Sequence, residues 1–295
     1  MATSPSPFQG ESWRGFFKGR TALLATMHHK EAVIAPVLQT TLEMSVQVLP
    51  HLNTDEFGTF TRDVPRAGGQ RQAARLKAQA ALARVDATLA IASEGAFFPY
   101  PPLPWVACDR ELVLLLDQQH GLEIVGEVCS TQTNYAHRTV SSLEEAAGFA
   151  QSVGFPDHGL IAMTADQPDS SALIFKGLRS KGDLADAVKR ILSRQDSAHL
   201  ETDMRALHNP TRMKVIEQAT HQLVKTLQQC CPQCHYPGFR KIKQIPGLPC
   251  EWCRSPTLLV QTDIYHCHRC HHQVRVDFPE GQRVASPAQC AICNP

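Results

Sequence analysis

Eight cysteines in the last quarter of the chain fall as four Cys-x-x-Cys pairs: Cys231 and Cys234, Cys250 and Cys253, Cys267 and Cys270, Cys290 and Cys293. Two thiolates at that spacing sit on one tight turn and point at a common centre, so each pair supplies half of a tetrahedral zinc site. Two pairs close one site, and four pairs predict two structural Zn ions with no position left open to water. The spacing admits two pairings. In chain order the first pair joins the second and the third joins the fourth; in a cross-braced module the first joins the third and the second joins the fourth. Chain order is the expectation. A disulfide framework would use the same residues, but it belongs to small secreted domains, and the chain does not open like a signal peptide. His235, His266, His268, His271 and His272 are expected on the surface around the sites, Cys230 as a spare thiol, and Cys108 and Cys129, which lie in apolar runs, as core residues.

A second set of residues suits phosphate chemistry. His28, His29 and Lys30 follow the first expected strand, Asp55 the second, and Glu94 ends the third. Ligands of open α/β sheets collect outside the carboxyl ends of the strands. Lys30, near a helix start, would neutralise a phosphate together with the exposed amides of that turn. Asp55, Asp63 and Glu94 would hold Mg, which takes carboxylate and phosphate oxygens while keeping some of its water. On spacing alone, the reading of these acids as solvated loop residues is favoured. Between residues 201 and 212, Asp203, Arg205, Asn209 and Arg212 concentrate polar groups; Arg205 and Arg212 have the fork that grips phosphate or carboxylate. The same stretch equally reads as a linker with an Asn-Pro turn and a helix cap at Asn209 or Thr211.

Those residues carry two resemblances. From residue 21 to about 117 the order of strand, Lys-bearing helix, acidic loop, Ala/Arg helix and strand resembles the inosine/xanthosine triphosphatase superfamily of nucleotide pyrophosphatases. The matching positions are Thr26 and Lys30, Thr54, Asp55 and Gly58, Ala74, Arg75, Lys77 and Ala78, and Ile91 with Glu94 and Gly95. The resemblance implies triphosphate contact by Lys30 and magnesium binding by Asp63 and Glu94. His28 stands where that superfamily has asparagine. Over nearly its whole length the chain also resembles an uncharacterised bacterial family of the domain-of-unknown-function 6671 type. That likeness rests on residues 54–60, 92–95, 201–205, 209–213, 237–239 and 247–250, and it implies no activity.

The elements that must position these groups follow from pattern. The chain has 295 residues, 43% hydrophobic and 19% charged, with a net charge of +1, which suits an ordinary globular protein with one good core and a small appendage. Such a charge does not by itself imply a nucleic-acid partner. No apolar run is long enough to cross a bilayer, so no membrane partner is expected, and free thiols point to the cytoplasm. Residues 1–18 read as a loose leader. Strands are expected at 21–26, 44–49, 87–93, 105–107, 112–116, 124–128, 160–163 and 172–175, and helices from 28 and at 70–85, 141–152, 183–193 and 213–227. The prolines between 99 and 104 predict a stiff irregular crossing. The expected fold is α/β, a mixed central sheet with flanking helices over 19–200, a linker motif and helix over 201–229, and a double zinc-ribbon-like module over 230–295.

Two functions from different classes fit. One is a cytoplasmic zinc protein whose α/β domain binds, and with Mg hydrolyses, a nucleotide or other phosphorylated ligand. The other is a non-catalytic adaptor whose ribbons present Arg240, Lys241, Lys243, Trp252 and Tyr265 to RNA or to a protein. Seven Lys and Arg stand against four Asp and Glu after residue 229, a surplus that doubly negative four-thiolate zinc sites would cancel.

Overall fold

The computed structural model describes residues 8, 10–50, 52, 68–164 and 172–294. The chain divides into two compact units: residues 19–223, and residues 1–18 together with 224–295. In the stretch expected as a leader, residues 14–17 form a short helix, α1 (Arg14–Phe17), and Trp13 and Phe17 are buried.

The larger unit begins β1 (Thr21–Ala25), α2 (Glu31–Leu42), β2 (Ser45–Val48), α3 (Gln70–Leu82), β3 (Leu89–Tyr100), β4 (Leu103–Asp117), β5 (Leu122–Ser130). The strands form one sheet in the order β2-β1-β3-β4-β5, with β1 parallel to β2 and β3, and β3, β4 and β5 antiparallel. Two parallel crossovers leave β1 and β2 in opposite directions along the sheet. Because such crossovers are right-handed, α2 and α3 lie on opposite faces. Ala74, Ala78 and Ala81 of α3 pack on Ala90, Ala92, Leu112 and Leu114, small side chains that let helix and sheet approach closely. Pro36 stands in the second turn of α2, where it forgoes a helical hydrogen bond.

The proline cluster does not make an irregular crossing. Pro99 is part of β3, Pro101 and Pro102 make the hairpin turn, and Pro104 lies in β4, which is one strand where two were expected. The prolines are tolerated because they sit at the hairpin's tip, where a register shift follows Pro99. At the far end of β4, Arg20 grips buried Asp117 at 2.5 and 2.9 Å, and Asp117 accepts from Gln119 N in the expected turn.

A second sheet follows where a single central one was expected: β6 (His137–Val140), α4 (Leu143–Ser152), β7 (Leu160–Met163), β8 (Ile174–Leu178), α5 (Lys181–Leu192) and β9 (Ala198–Thr202). Its order is β6-β9-β7-β8 and every pair is antiparallel. Phe149 of α4 and Leu184, Val188 and Ile191 of α5 share a core with Leu160, Ala162 and Leu200. Edge strand β6 and its inner neighbour β9 carry His, Arg, Thr and Glu, which hides them from an apolar-run search. Both helices start on serine: Ser142 accepts from Glu145 N at 3.1 Å and Ser180 from Asp183 N at 3.0 Å.

Asn209 caps α6 (Pro210–Gln228), accepting from Arg212 N at 2.9 Å, and Pro210 takes the first helical position. Helix α6 leads from the larger unit into the smaller. Its approach to β5 depends on Gly126, where a Cβ would overlap the backbone of Ala219 and Leu223. In the smaller unit β10 (Arg240–Pro246), β11 (Val260–His266) and β12 (Gln273–Asp277) form an antiparallel sheet. Buried Phe239 packs with Phe8 and Tyr265, ring centroids 4.8 and 5.9 Å away. Among the described residues, no helix is long and apolar enough to cross a membrane.

Candidate functional site

The cysteines gather into two tetrads, but not in chain order. Cys231 and Cys234 join Cys267 and Cys270, and Cys250 and Cys253 join Cys290 and Cys293. The ladder explains the correction. Arg240 pairs with His266, so the knuckle before β10 and the knuckle after β11 lie at one end of the sheet. The second knuckle lies in the β10–β11 connection at the other end, where Cys250 bridges Ala285 on the approach to the fourth. Facing sulfurs are 3.6 to 3.8 Å apart, close to the ~3.8 Å edge of a tetrahedron with zinc–sulfur bonds of about 2.3 Å. Three knuckles share one turn: the first cysteine's carbonyl accepts from the residue four positions on, which adopts positive φ, at His235, Arg254 and His271. The tetrads are compatible with two zinc ions. Cys108 is buried in the core as expected and is disulfide-bonded across β4 and β5 to Cys129, which was also expected in the core but is exposed.

The second constellation lies beyond the carboxyl end of β1. That strand pairs with β3 only as far as Ala92, so Ser93, Glu94 and Gly95 run past it. Lys30, at the start of α2, is buried and donates to Ser93 Oγ at 3.0 Å. Glu94 is buried against Lys77 of α3 in an ion pair. On β4, Glu111 accepts from Arg212 Nε at 2.6 Å, and the same guanidinium donates to Met204 O and lies over Phe97. Gly95 makes room for that pair: a Cβ there would overlap Glu111 Oε1 and lie 2.5 Å from Arg212 Nη2.

Two ion pairs thus leave one acid and one base over. Burial, then the charge of Arg212, lowers the Lys30 ammonium to about 7, with Glu111 and Glu94 opposing. Asp109 is fully buried, and neither of its oxygens nor Glu111 Oε2 receives a hydrogen bond among the described residues. Burial and the neighbouring Glu111 raise Asp109 to about 8, against the pull of Arg212 and Lys30. Two such carboxyls side by side are compatible only when one keeps a proton that bonds to the other.

The structure therefore brings Lys30, Glu94 and Arg212 into one electrostatic neighbourhood. Arg212, expected to close on a ligand, is enclosed and engaged by Glu111. Arg205 lies elsewhere, gripping Asp203 at 2.6 Å through Nη2. Asp55 and Asp63 lie outside the described residues. Among the described residues, the two cysteine tetrads are the groups of His, Cys, Asp and Glu close enough to hold a metal ion. Lys77 already engages Glu94. Sequence reasoning missed Asp109 and Glu111. Their signal was available, two acids at alternate positions leading into the apolar run 112–116.

Fold and sites together define a mixed α/β protein with a compact module of two cysteine tetrads. The chain belongs to the family described as Domain of unknown function (DUF6671), whose model matches residues 77–295. That span takes in both tetrads and the residues from Lys77 to Arg212, but not Lys30. No curated protein and no solved structure matches the chain.

Proposed function

We propose that the larger unit binds a phosphorylated ligand, a nucleotide in the first instance, beyond the carboxyl end of β1, and hydrolyses a phosphoanhydride bond there. The observation that carries this reading is the gathering of Lys30, Glu94, Glu111 and Arg212, from four separate stretches of chain, at that strand end. Lys30 meets the phosphate: an anion beside it raises its affinity for a proton, so binding restores the charge that burial opposes. Arg212 and Glu111 hold the surrounding field, and Lys77 orients Glu94. In hydrolysis water adds to phosphorus and phosphate or diphosphate leaves. The tetrads hold zinc and brace the smaller unit.

A second reading, an adaptor docking through the zinc module, is favoured by one observation. Trp252 and Ile292 occupy the same place in the two knuckles of one tetrad, and they are 75% and 66% exposed. The edge strand β10 adds exposed Arg240, Lys241 and Lys243.

The test is phosphate and diphosphate release from a panel of nucleoside triphosphates with magnesium, comparing the wild type with Glu94→Gln. Release by the wild type that the substitution abolishes, with zinc content unchanged, supports the enzyme. The absence of both release and a nucleotide-induced thermal shift sinks the enzyme and leaves the adaptor.

A further inference from the structure

Strands β3 and β4 outrun both of their neighbours. Strand β1 pairs with β3 only as far as Ala92, and β5 pairs with β4 only from Asp109 onward, so among the described residues the chain from Ala96 to Cys108 pairs only across its own hairpin. The arm extends roughly 20 Å past the end of β5, at about 3.3 Å per residue from Leu103 to Cys108. A two-stranded ribbon is marginally stable in water unless something packs on it. Residues 96–108 include four prolines and no charged side chain.

Prolines on both sides of the arm, Pro99 in β3 and Pro104 in β4, blunt its edges against a further strand. What the arm presents instead is side chains. Between the pairs Pro99–Ala107 and Tyr100–Leu103, β3 advances one residue and β4 advances four, so Pro104, Trp105 and Val106 have no residue paired opposite them. Such a bulge re-aims the side chain at its centre. Trp105 is 80% exposed and Leu103 is 42% exposed, and Trp105 makes no hydrogen bond or ring contact among the described residues. At the base of the arm Tyr135 lies on Phe97, ring centroids 5.4 Å apart, and is itself 40% exposed. Large apolar side chains gathered in one place mark a contact surface, where scattered ones need no explanation.

We propose that the tip of this arm is the interface of a two-fold symmetric dimer, in which the arms of two copies of the chain pack on each other around Trp105. Charge decides the occupant. A surface without charged side chains gives a charged partner nothing to match, and it would take water from that partner's charges without return. It fits a second surface equally free of charge, and a two-fold axis supplies one by setting the tip against its own copy. The composition agrees, since interfaces between identical chains are the more apolar ones, rich in Trp, Tyr and Phe and poor in charge. A tryptophan buries about 150–250 Å² and a standard interface about 800 Å² per copy, so one tip makes less than a standard interface and the dimer forms reversibly. Neither nucleotide binding nor hydrolysis is required for it.

The experiment is sedimentation velocity on the full-length chain purified with zinc, over about 1 to 200 μM. The expected result is a rise with concentration from the 32.6 kDa monomer towards twice that mass. Trp105→Ser changes an exposed side chain, so thermal melting at low concentration should show an unchanged fold, while dimerisation should weaken about tenfold or more. Tryptophan fluorescence reads the same contact independently: it should shift to the blue with concentration in the wild type and not in Trp105→Ser. Trp252→Ser, in the smaller unit, should dimerise like the wild type. A monomer at every concentration overturns the proposal, and so does a dimer that Trp105→Ser leaves intact. A monomer that binds vesicles of neutral phospholipid through Trp105 also overturns it and gives the tip to a lipid surface.

Discussion

Asp109 is the residue whose chemistry is most exposed to test. Its ordinary value of 3.8 becomes about 8 in the fold, so between those values the folded chain holds a proton that the unfolded chain has released. Its contribution to stability is complete below the lower value and is lost as pH rises through the upper one. Lys30 runs the other way. Lowered from 10.5 to about 7, it contributes fully above the higher value and loses that contribution as pH falls through the lower. Between about pH 7 and 8 the two slopes oppose each other, which sets a trough there. In Asp109→Asn the neutral amide replaces the neutral acid, so the stability difference, wild type minus variant, should decline with pH across the Asp109 window. The slope is at most about 1.4 kcal/mol per pH unit. Urea midpoints measured at several pH values check this; a pH-independent difference would mean that Asp109 is ionised in the fold.

At the scale of elements, the turn that closes three knuckles puts a side chain where glycine would be easier. Arg254 has φ of +63° and is exposed, so Arg254→Gly should stabilise the smaller unit by about 0.5 kcal/mol, the relief of left-handed strain less the entropy glycine gains on unfolding. Arg254→Ala, which keeps the strain, should show no such gain in thermal melting. These turns explain much of what was legible beforehand. Cys-x-x-Cys is a local signal, and so is the alanine face of α3, because each is decided within a few turns of chain. The pairing of the knuckles was not legible, since it is set by strand pairing across the β10–β11 ladder. The second sheet was missed for a related reason: β6 and β9 interleave their core residues Val140, Ala198 and Leu200 with His, Arg, Thr and Glu, and their place is set by antiparallel pairing with each other and with β7. Glu94 and Lys30 were singled out because they stand at strand ends. Asp109 and Glu111 were not, because burying two acids side by side makes sense only once Arg212 arrives from a hundred residues away.

For the molecule as a whole, the crossed tetrads make a prediction that pairs of substitutions can read. Cys231→Ala with Cys270→Ala removes two ligands of one tetrad and should leave one zinc per chain. Cys231→Ala with Cys253→Ala strikes both tetrads and should leave none. Chain-order pairing would reverse the two results, so metal content of the purified variants decides between them. The smaller unit is also discontinuous: it takes residues from both ends of the described chain, and Cys230 N bonds to Phe8 O. A ribosome delivers those ends far apart in time. The larger unit lies wholly between them and can fold while synthesis continues. Residues 8–18 must wait for their partners until the rest has been made, and neither metal can be enclosed when half its ligands have emerged. Closure of both tetrads is therefore a late step, and a chain stalled before Cys267 would carry a folded larger unit with neither tetrad complete.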